Sequence, residues 1–234
     1  ATAQRVFDRV SFDLIYARPG QSEADWEAEL ARALGFGTGH LSLYQLTIEP
    51  GTRFATLVAQ GKLTPADPDH GATLYELTQS MTVAAGIPAY EISNHARPGQ
   101  ESRHNLTYWR HGDYAGIGPG AHGRRTGQAT VRHKKPENWM NAVARNGHGA
   151  QGEEPLADED RAREALLMGL RLREGVDLRR IASESGIMIS QLVDDRAVAR
   201  LIASGLMDRQ ESHIQVTPAG MLLLDAILPE IVTI

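Results

Sequence analysis

The sequence predicts an α/β fold, the closing half of a partial (β/α) barrel followed by a small winged-helix-like domain, and three observations carry that expectation. Apolar, β-branched runs alternate with amphipathic stretches as far as Ile92, the rhythm of parallel βαβ units. The first of those runs is so apolar that it calls for a neighbouring strand, as in a larger barrel. The C-terminal part reads helix, helix, hairpin, helix.

Each element has its own signal. Residues 6–17 (VFDRVSFDLIYA) read as a buried strand closed by the turn Arg18-Pro19-Gly20. Ser22 caps a helix with Trp26, Leu30 and Leu34 at helical spacing, and the glycines of 35–39 stop it. Residues 40–48 (HLSLYQLTI) form a second strand ended by Pro50-Gly51. Thr52 caps a short helix stopped by Gly61, and residues 68–85 form a longer one presenting Leu74, Leu77 and Met81 before Gly86. Residues 89–92 make a third strand. In such barrels ligands gather at the C-terminal ends of strands, here residues 18–21, 49–52 and 93–95.

After Gly123, RRTGQATVRHKK reads as a hairpin and residues 136–145 as a helix, completing a first domain over 1–145. The Gly-rich, polar stretch NGHGAQGEEP places a linker over 146–157. The second domain, 158–234, starts with Asp158 as N-cap of a helix through Leu166, Leu167 and Leu170. Asp177 caps the next helix. Ser190 caps a third, with Val193, Ala197, Leu201 and Ile202 on its apolar face. Strands at 206–210 and 214–216 follow, and Thr217-Pro218 opens a final helix through Leu222, Leu223 and Ile227.

Composition bounds the function. With 234 residues, 41% of them apolar, the chain can bury one large or two smaller cores. A net charge of -5 gives no general pull toward nucleic acid. No apolar run approaches the ~20 residues that span a bilayer, and the first residues lack a signal peptide's basic start, so the expectation is a cytoplasmic protein. The absence of cysteine excludes disulfides, thiolate nucleophiles and cysteine-ligated clusters within this chain. Because a strand-like segment follows within a few residues of Ala1, an upstream piece is expected.

The chemistry concentrates between Tyr90 and Gly123, where His95, His104, His111 and His122 accompany a GIGPGAHG run. Gly116 to Ala121 has the letters of a dinucleotide fingerprint, but Gly123-Arg124-Arg125-Thr126-Gly127 follows instead of an apolar helix. Its glycines let backbone approach a flat ligand closely, or simply make a tight turn. His104 and Tyr108, at i and i+4, share a face if the segment is helical, and both residue types ligate haem iron. The alternative is a hydrogen-bonded His-Asn turn with Tyr108 packed beside Trp109, and residue chemistry alone favours it. No zinc spacing, nucleophile elbow or P-loop is present. Asp13, an acid inside an apolar strand, should meet ligand hydroxyls or a cation, or form a salt bridge to Arg9 or Arg18. Arg196 and Arg200 could face DNA phosphates, but Asp194 and Asp195 on the same stretch make it a weak reader.

Four stretches in order, FDLIYARPGQ (12–21), HLSLYQLTIEPGT (40–52), YEISNHARPGQESRHNLTYW (90–109) and YAGIGPGAHG (114–123), resemble the oxygen-independent coproporphyrinogen III oxidase-like branch of the radical SAM enzymes. Within that branch they look most like the HemW-type haem chaperones, and the likeness covers nearly the whole chain, the C-terminal domain included. The resemblance implies a radical SAM barrel. It sets Asp13 against the ribose of S-adenosylmethionine, Thr47 near its adenine, and Ile117 near the cofactor or a second ligand. His104, Asn105 and Tyr108 match the family's HNxxY haem-binding motif, with His104 as the candidate iron ligand, which reverses the preference above. The family's CxxxCxxC motif precedes the first strand and is absent here. Ligands to a [4Fe-4S] cluster are therefore expected in a preceding part, and the chain alone should neither hold the cluster nor cleave the cofactor.

The function so implied is binding of haem and its delivery to acceptor proteins. The runner-up is oxidative decarboxylation of coproporphyrinogen III, and the third reading is a winged-helix DNA-binding regulator, against which the acidic helix counts. Haem and haem-acceptor proteins are the implied partners and nucleic acid is not one. Peripheral membrane association and a homodimer stay open.

Overall fold

The computed structural model describes residues 2–234; Ala1, where the expected first domain begins, lies outside the described residues. The chain is mixed α/β and divides into two compact units, one ending at Ser102 and one running from Arg103 to Ile234.

The first unit contains α1 (Thr2–Val6), β1 (Ser11–Tyr16), α2 (Glu23–Leu34), β2 (His40–Gln45), α3 (Arg53–Ala59), α4 (Pro68–Ala84) and β3 (Asn94–Ala96). β1 and β2 are parallel, with Ser11 opposite His40 and Tyr16 opposite Gln45, joined by the α2 crossover. Ser22 and Asp25 close a reciprocal capping box at the start of α2. That helix then buries Trp26 and Leu30 against Leu41, Leu43 and Leu74. The indole N–H of Trp26 donates to Thr78 Oγ1 at 2.8 Å, so the large apolar ring leaves no orphan donor. Period-two alternation along β1 sends Phe12, Leu14 and Tyr16 to this core and leaves Ser11, Asp13 and Ile15 on the other face.

Two expectations for this unit are corrected. The predicted strand over 6–17 shortens to Ser11–Tyr16, with its first residue in a helix. The predicted parallel strand over 89–92 is instead β3, antiparallel to β2 with Ser42 opposite Asn94. The chain doubles back over 90–94: Tyr90 N–H donates to Asn94 O at 3.0 Å, and Leu43 N–H to Ser93 O at 2.7 Å. The backbone groups of the expected strand are thus spent on a turn.

The second unit contains α5 (Arg103–Trp109), then the antiparallel sheet β4 (His122–Arg125), β5 (Gln128–Arg132) and β6 (Ala150–Pro155), with α6 (Pro136–Asn146) between its last two strands. β6 corrects the linker expected over 146–157. Gly147 is the left-handed cap of α6 at φ 76°, and Gly149 is buried where a Cβ would collide with the Trp139 ring. Gly147 thus serves a left-handed helix cap and Gly149 close packing, uses that composition does not separate from flexibility.

The remainder is α7 (Asp158–Gly169), β7 (Val176–Asp177), α8 (Leu178–Ser185), α9 (Ile189–Leu192), α10 (Asp195–Ala203), β8 (Met207–Gln210), β9 (His213–Val216), α11 (Pro218–Met221) and α12 (Leu224–Ile231). The sheet order β7-β9-β8 and the preceding helices make a winged-helix arrangement. Asp158 is the first residue of α7 and Ala157 its N-cap. The helix expected from Ser190 is divided, because Val193 adopts extended backbone and bridges to Val232. Asp194 caps α10 instead, accepting from Arg196 N and Ala197 N at 2.8 and 3.0 Å. The final helix also divides, at Leu222 and Leu223. Among the described residues no helix is long and apolar enough to cross a membrane.

Candidate functional site

The sequence of α5, RHNLTYW, contains neither proline nor glycine, and its helix sets His104 and Tyr108 one turn apart on one face. The Tyr108 hydroxyl lies 3.1 Å from His104 Nε2, and the two rings meet edge to face with centroids 4.7 Å apart. His104 is exposed; Asn105 and Tyr108 are half-buried. The helix ends where His111, at φ 57°, turns the chain outward, donating its N–H to Tyr108 O at 2.9 Å.

Tyr108 has a second aromatic neighbour. Tyr114 packs edge-on against it, centroids 4.3 Å apart. The backbones of Tyr114 and Arg124 pair in both directions, at 2.7 and 3.0 Å. The Arg124 guanidinium stands 5.9 Å from the centre of the Tyr114 ring and donates to Glu164 of α7. The same carboxylate receives His111 Nε2 at 3.1 Å. Burial, with Arg124 adding to it, pushes the His111 imidazole below its ordinary value although Glu164 pulls the other way.

The GIGPGA loop explains its own glycines. Gly116 is buried where a Cβ would overlap the His122 carbonyl, and Gly118 and Gly120 sit at φ 97° and 72°. Gly120 N–H donates to His133 O at 2.8 Å, and Arg132 Nε to Gly116 O at 3.2 Å. A strand, β4, follows rather than a helix, so the loop lacks the dinucleotide-binding context. Ile117 stands at the loop with 87% of its surface exposed.

Asp13 and Thr47 lie in the first unit, apart in the chain from α5 and Ile117, which belong to the second. Asp13 is exposed opposite Ser42, so its charge carries no burial cost. The alternative of a salt bridge from Asp13 to Arg9 or Arg18 is not realised: Arg9 donates to the Gln100 and Glu101 carbonyls, and Arg18 pairs with Glu29. Thr47 is exposed just beyond β2, its hydroxyl 3.4 Å from Gln45 O. A cavity of about 330 Å³ in this unit, lined in part by Phe7, Arg9, Thr38, Arg97 and Gln100, includes neither residue. Among the described residues no three His, Asp or Glu side chains converge on a metal position.

Sequence reasoning singled out His104, Asn105 and Tyr108 as candidates and did not connect Tyr108 with Tyr114, Arg124, His111 and Glu164, which the fold links to it. Glu164 lies 53 residues beyond His111, and no periodic signal spans that distance. The missed signal was the charge of Arg124 beside an aromatic-rich segment, which required a partner somewhere.

Residues 156–223 match the family model described as the HemN C-terminal domain. The chain is 36% identical to the mitochondrial radical S-adenosyl methionine domain-containing protein 1 of Bos taurus, over 97% of this chain and 54% of that protein. It is 35% identical to the heme chaperone HemW of Bacillus subtilis, over 93% and 57%. Among solved structures it resembles the coproporphyrinogen III oxidase HemN of Escherichia coli, described as a radical SAM enzyme, with a TM-score of 0.74 at 20% identity over 97% of this chain and 56% of that one. The fold is therefore that of the C-terminal part of this relative. The chain spans about half the length of the curated relatives it matches.

Proposed function

This chain belongs to the HemN/HemW-like family of radical SAM proteins, and from that membership we propose that it takes part in binding haem and passing it to acceptor proteins. The observation that carries the reading is the His104–Tyr108 pair, a nitrogen and a phenol oxygen 3.1 Å apart beside exposed solvent. Haem is the cargo. Its iron accepts either a neutral imidazole or a tyrosinate. If Nε2 binds the iron, the hydroxyl of Tyr108 must release it. If Tyr108 binds as tyrosinate, His104 Nε2 is placed to take the phenol proton and remain beside the oxygen as imidazolium. Asn105 can orient either group through its amide. The exposed Ile117 gives the neighbouring loop an apolar tip for a macrocycle or cofactor.

Asp13 and Thr47 are proposed as contacts to the ribose and adenine of S-adenosylmethionine, and the exposed carboxylate of Asp13 is suited to accept hydroxyl donors. The chain's residues do not fit a [4Fe-4S] cluster, because there is no cysteine to supply thiolate, and no reductive step is assigned to them.

Haem titration followed by electronic absorption tests the proposal. The expected result is stoichiometric binding with a Soret band that shifts in His104→Ala, with affinity reduced roughly tenfold or more. Tyr108→Phe has the smaller effect if imidazole is the ligand and the larger if tyrosinate is. Unchanged spectra and affinity in the double variant would place haem elsewhere.

A further inference from the structure

A single carboxylate on the C-terminal domain holds both ends of the haem-site scaffold. Glu164 receives the guanidinium of Arg124, whose side chain is 14% exposed, and the imidazole of His111, 10% exposed. Through Arg124 it fixes the cation standing over the Tyr114 ring, and Tyr114 in turn meets the edge of Tyr108. Through His111 it anchors the residue that terminates α5, whose backbone N–H is bonded to Tyr108 itself. Tyr108 is thereby approached from its ring and from its carbonyl by groups that answer to the same acid. α5 also packs on α7, the helix that carries Glu164.

A surface ion pair would not merit this reading, since such pairs contribute little. Here both donors, the Arg124 cation and the His111 imidazole, are mostly withdrawn from solvent although Glu164 is part-exposed, and each has a geometric task beyond pairing. Arg124 Nε is buried and without a hydrogen-bond partner, so its terminal nitrogen on Glu164 is the bond that keeps the planar group in place. Losing the carboxylate would leave the Arg124 cation without its counter-charge and His111 without its hydrogen-bond partner.

We propose that Glu164, acting through Arg124–Tyr114 and through His111, is a positioning residue that sets the His104–Tyr108 pair for haem ligation. The proposal rests on the haem reading above and assigns the winged-helix-like domain a role in that reading, as the holder of the ligand helix. It concerns Glu164 and Arg124, which reach Tyr108 only through Tyr114 and His111, and none that would contact iron.

The test uses the intact chain with Glu164→Gln, Glu164→Asp and Arg124→Lys. In the haem-loaded protein, the Soret position and the electron paramagnetic resonance of ferric haem report the axial ligand. In the haem-free protein, hydrogen exchange of the α5 amides reports how firmly the helix is held. Glu164→Gln should weaken haem binding roughly tenfold, the scale of lost outer-sphere support to a ligand, alter the ferric spectrum and speed exchange in α5. Glu164→Asp should recover part of each change, and Arg124→Lys, which keeps a cation but loses the fork, should reproduce the spectral change with Glu164 intact. A His104-dependent spectrum that is the same in wild type, Glu164→Gln and Arg124→Lys overturns this proposal alone. A haem spectrum indifferent to His104 overturns the haem reading and this proposal with it. Should Glu164→Gln fail to fold, an unaltered spectrum in Arg124→Lys still decides against it.

Discussion

Glu91 and Asn94 face each other in the interior of the first unit, 2% and 4% exposed. The Asn94 amide donates to Glu91 Oε1, while Asn94 Oδ1 is buried with no hydrogen-bond partner. Burial raises the Glu91 carboxyl above its ordinary value of 4.5, although the Asn94 amide and nearby backbone N–H groups pull it down. A proton on Glu91 would supply the donor that Oδ1 lacks. Because the folded chain holds this proton more tightly than the unfolded chain, the stability tied to Glu91 is greatest below about pH 4.5 and falls as pH rises through the window above it. Glutamine keeps the acceptor and adds an N–H at every pH. Glu91→Gln should therefore match the wild type in urea unfolding at about pH 4 and exceed it at about pH 8. A wild type that is the more stable of the two at the higher pH would contradict the assignment.

Among the elements, the residue that leads into β6, Gly149, tests how packing selects a glycine. Gly149→Ala should destabilise the chain by about 1–3 kcal/mol, since the new methyl must displace the Trp139 ring; chemical denaturation gives the value, and a change below about 0.5 kcal/mol would mean that the ring moves freely. Legibility in the sequence follows the same division. α2 was readable because Ser22, Trp26 and Leu30 are local signals of cap and face, whereas α5 was only a conditional helix, its seven residues being too few for a periodic apolar face to declare it. β3 was displaced because a turn made by backbone bonds at Tyr90 and Ser93 has no apolar alternation to mark it. β6 was taken for a linker because AQGEEP has a solvated strand's polarity and only partner-strand pairing reveals it. The candidate pair His104 and Tyr108 was singled out by resemblance rather than by spacing, and its neighbours could not be named at all, since Arg124 and Glu164 meet only through tertiary structure.

Across the whole molecule the net charge is -5, and near the winged-helix surface several cations are already paired with acids. Arg200 pairs with Glu230, Arg209 with Asp195, Arg180 with Glu184, and Arg179 with Glu211, while Asp194 is engaged as a helix cap. A duplex would have to compete with these acids for each guanidinium. Fluorescence anisotropy with duplex DNA should show no salt-sensitive binding in the roughly micromolar range; such binding, weakening steeply with salt, would restore the regulator reading. The two kinds of strand pairing in the chain also set an order in time. β1 meets β2 through Ser11 and His40, 29 residues apart, and the whole of α2 must cross before that register exists. β4 with β5, and β8 with β9, need only a short turn to close. Such hairpins form in about 1–10 μs, so the hairpin that carries Arg124 should be in place while the parallel pair is still searching, and folding should begin in the second unit.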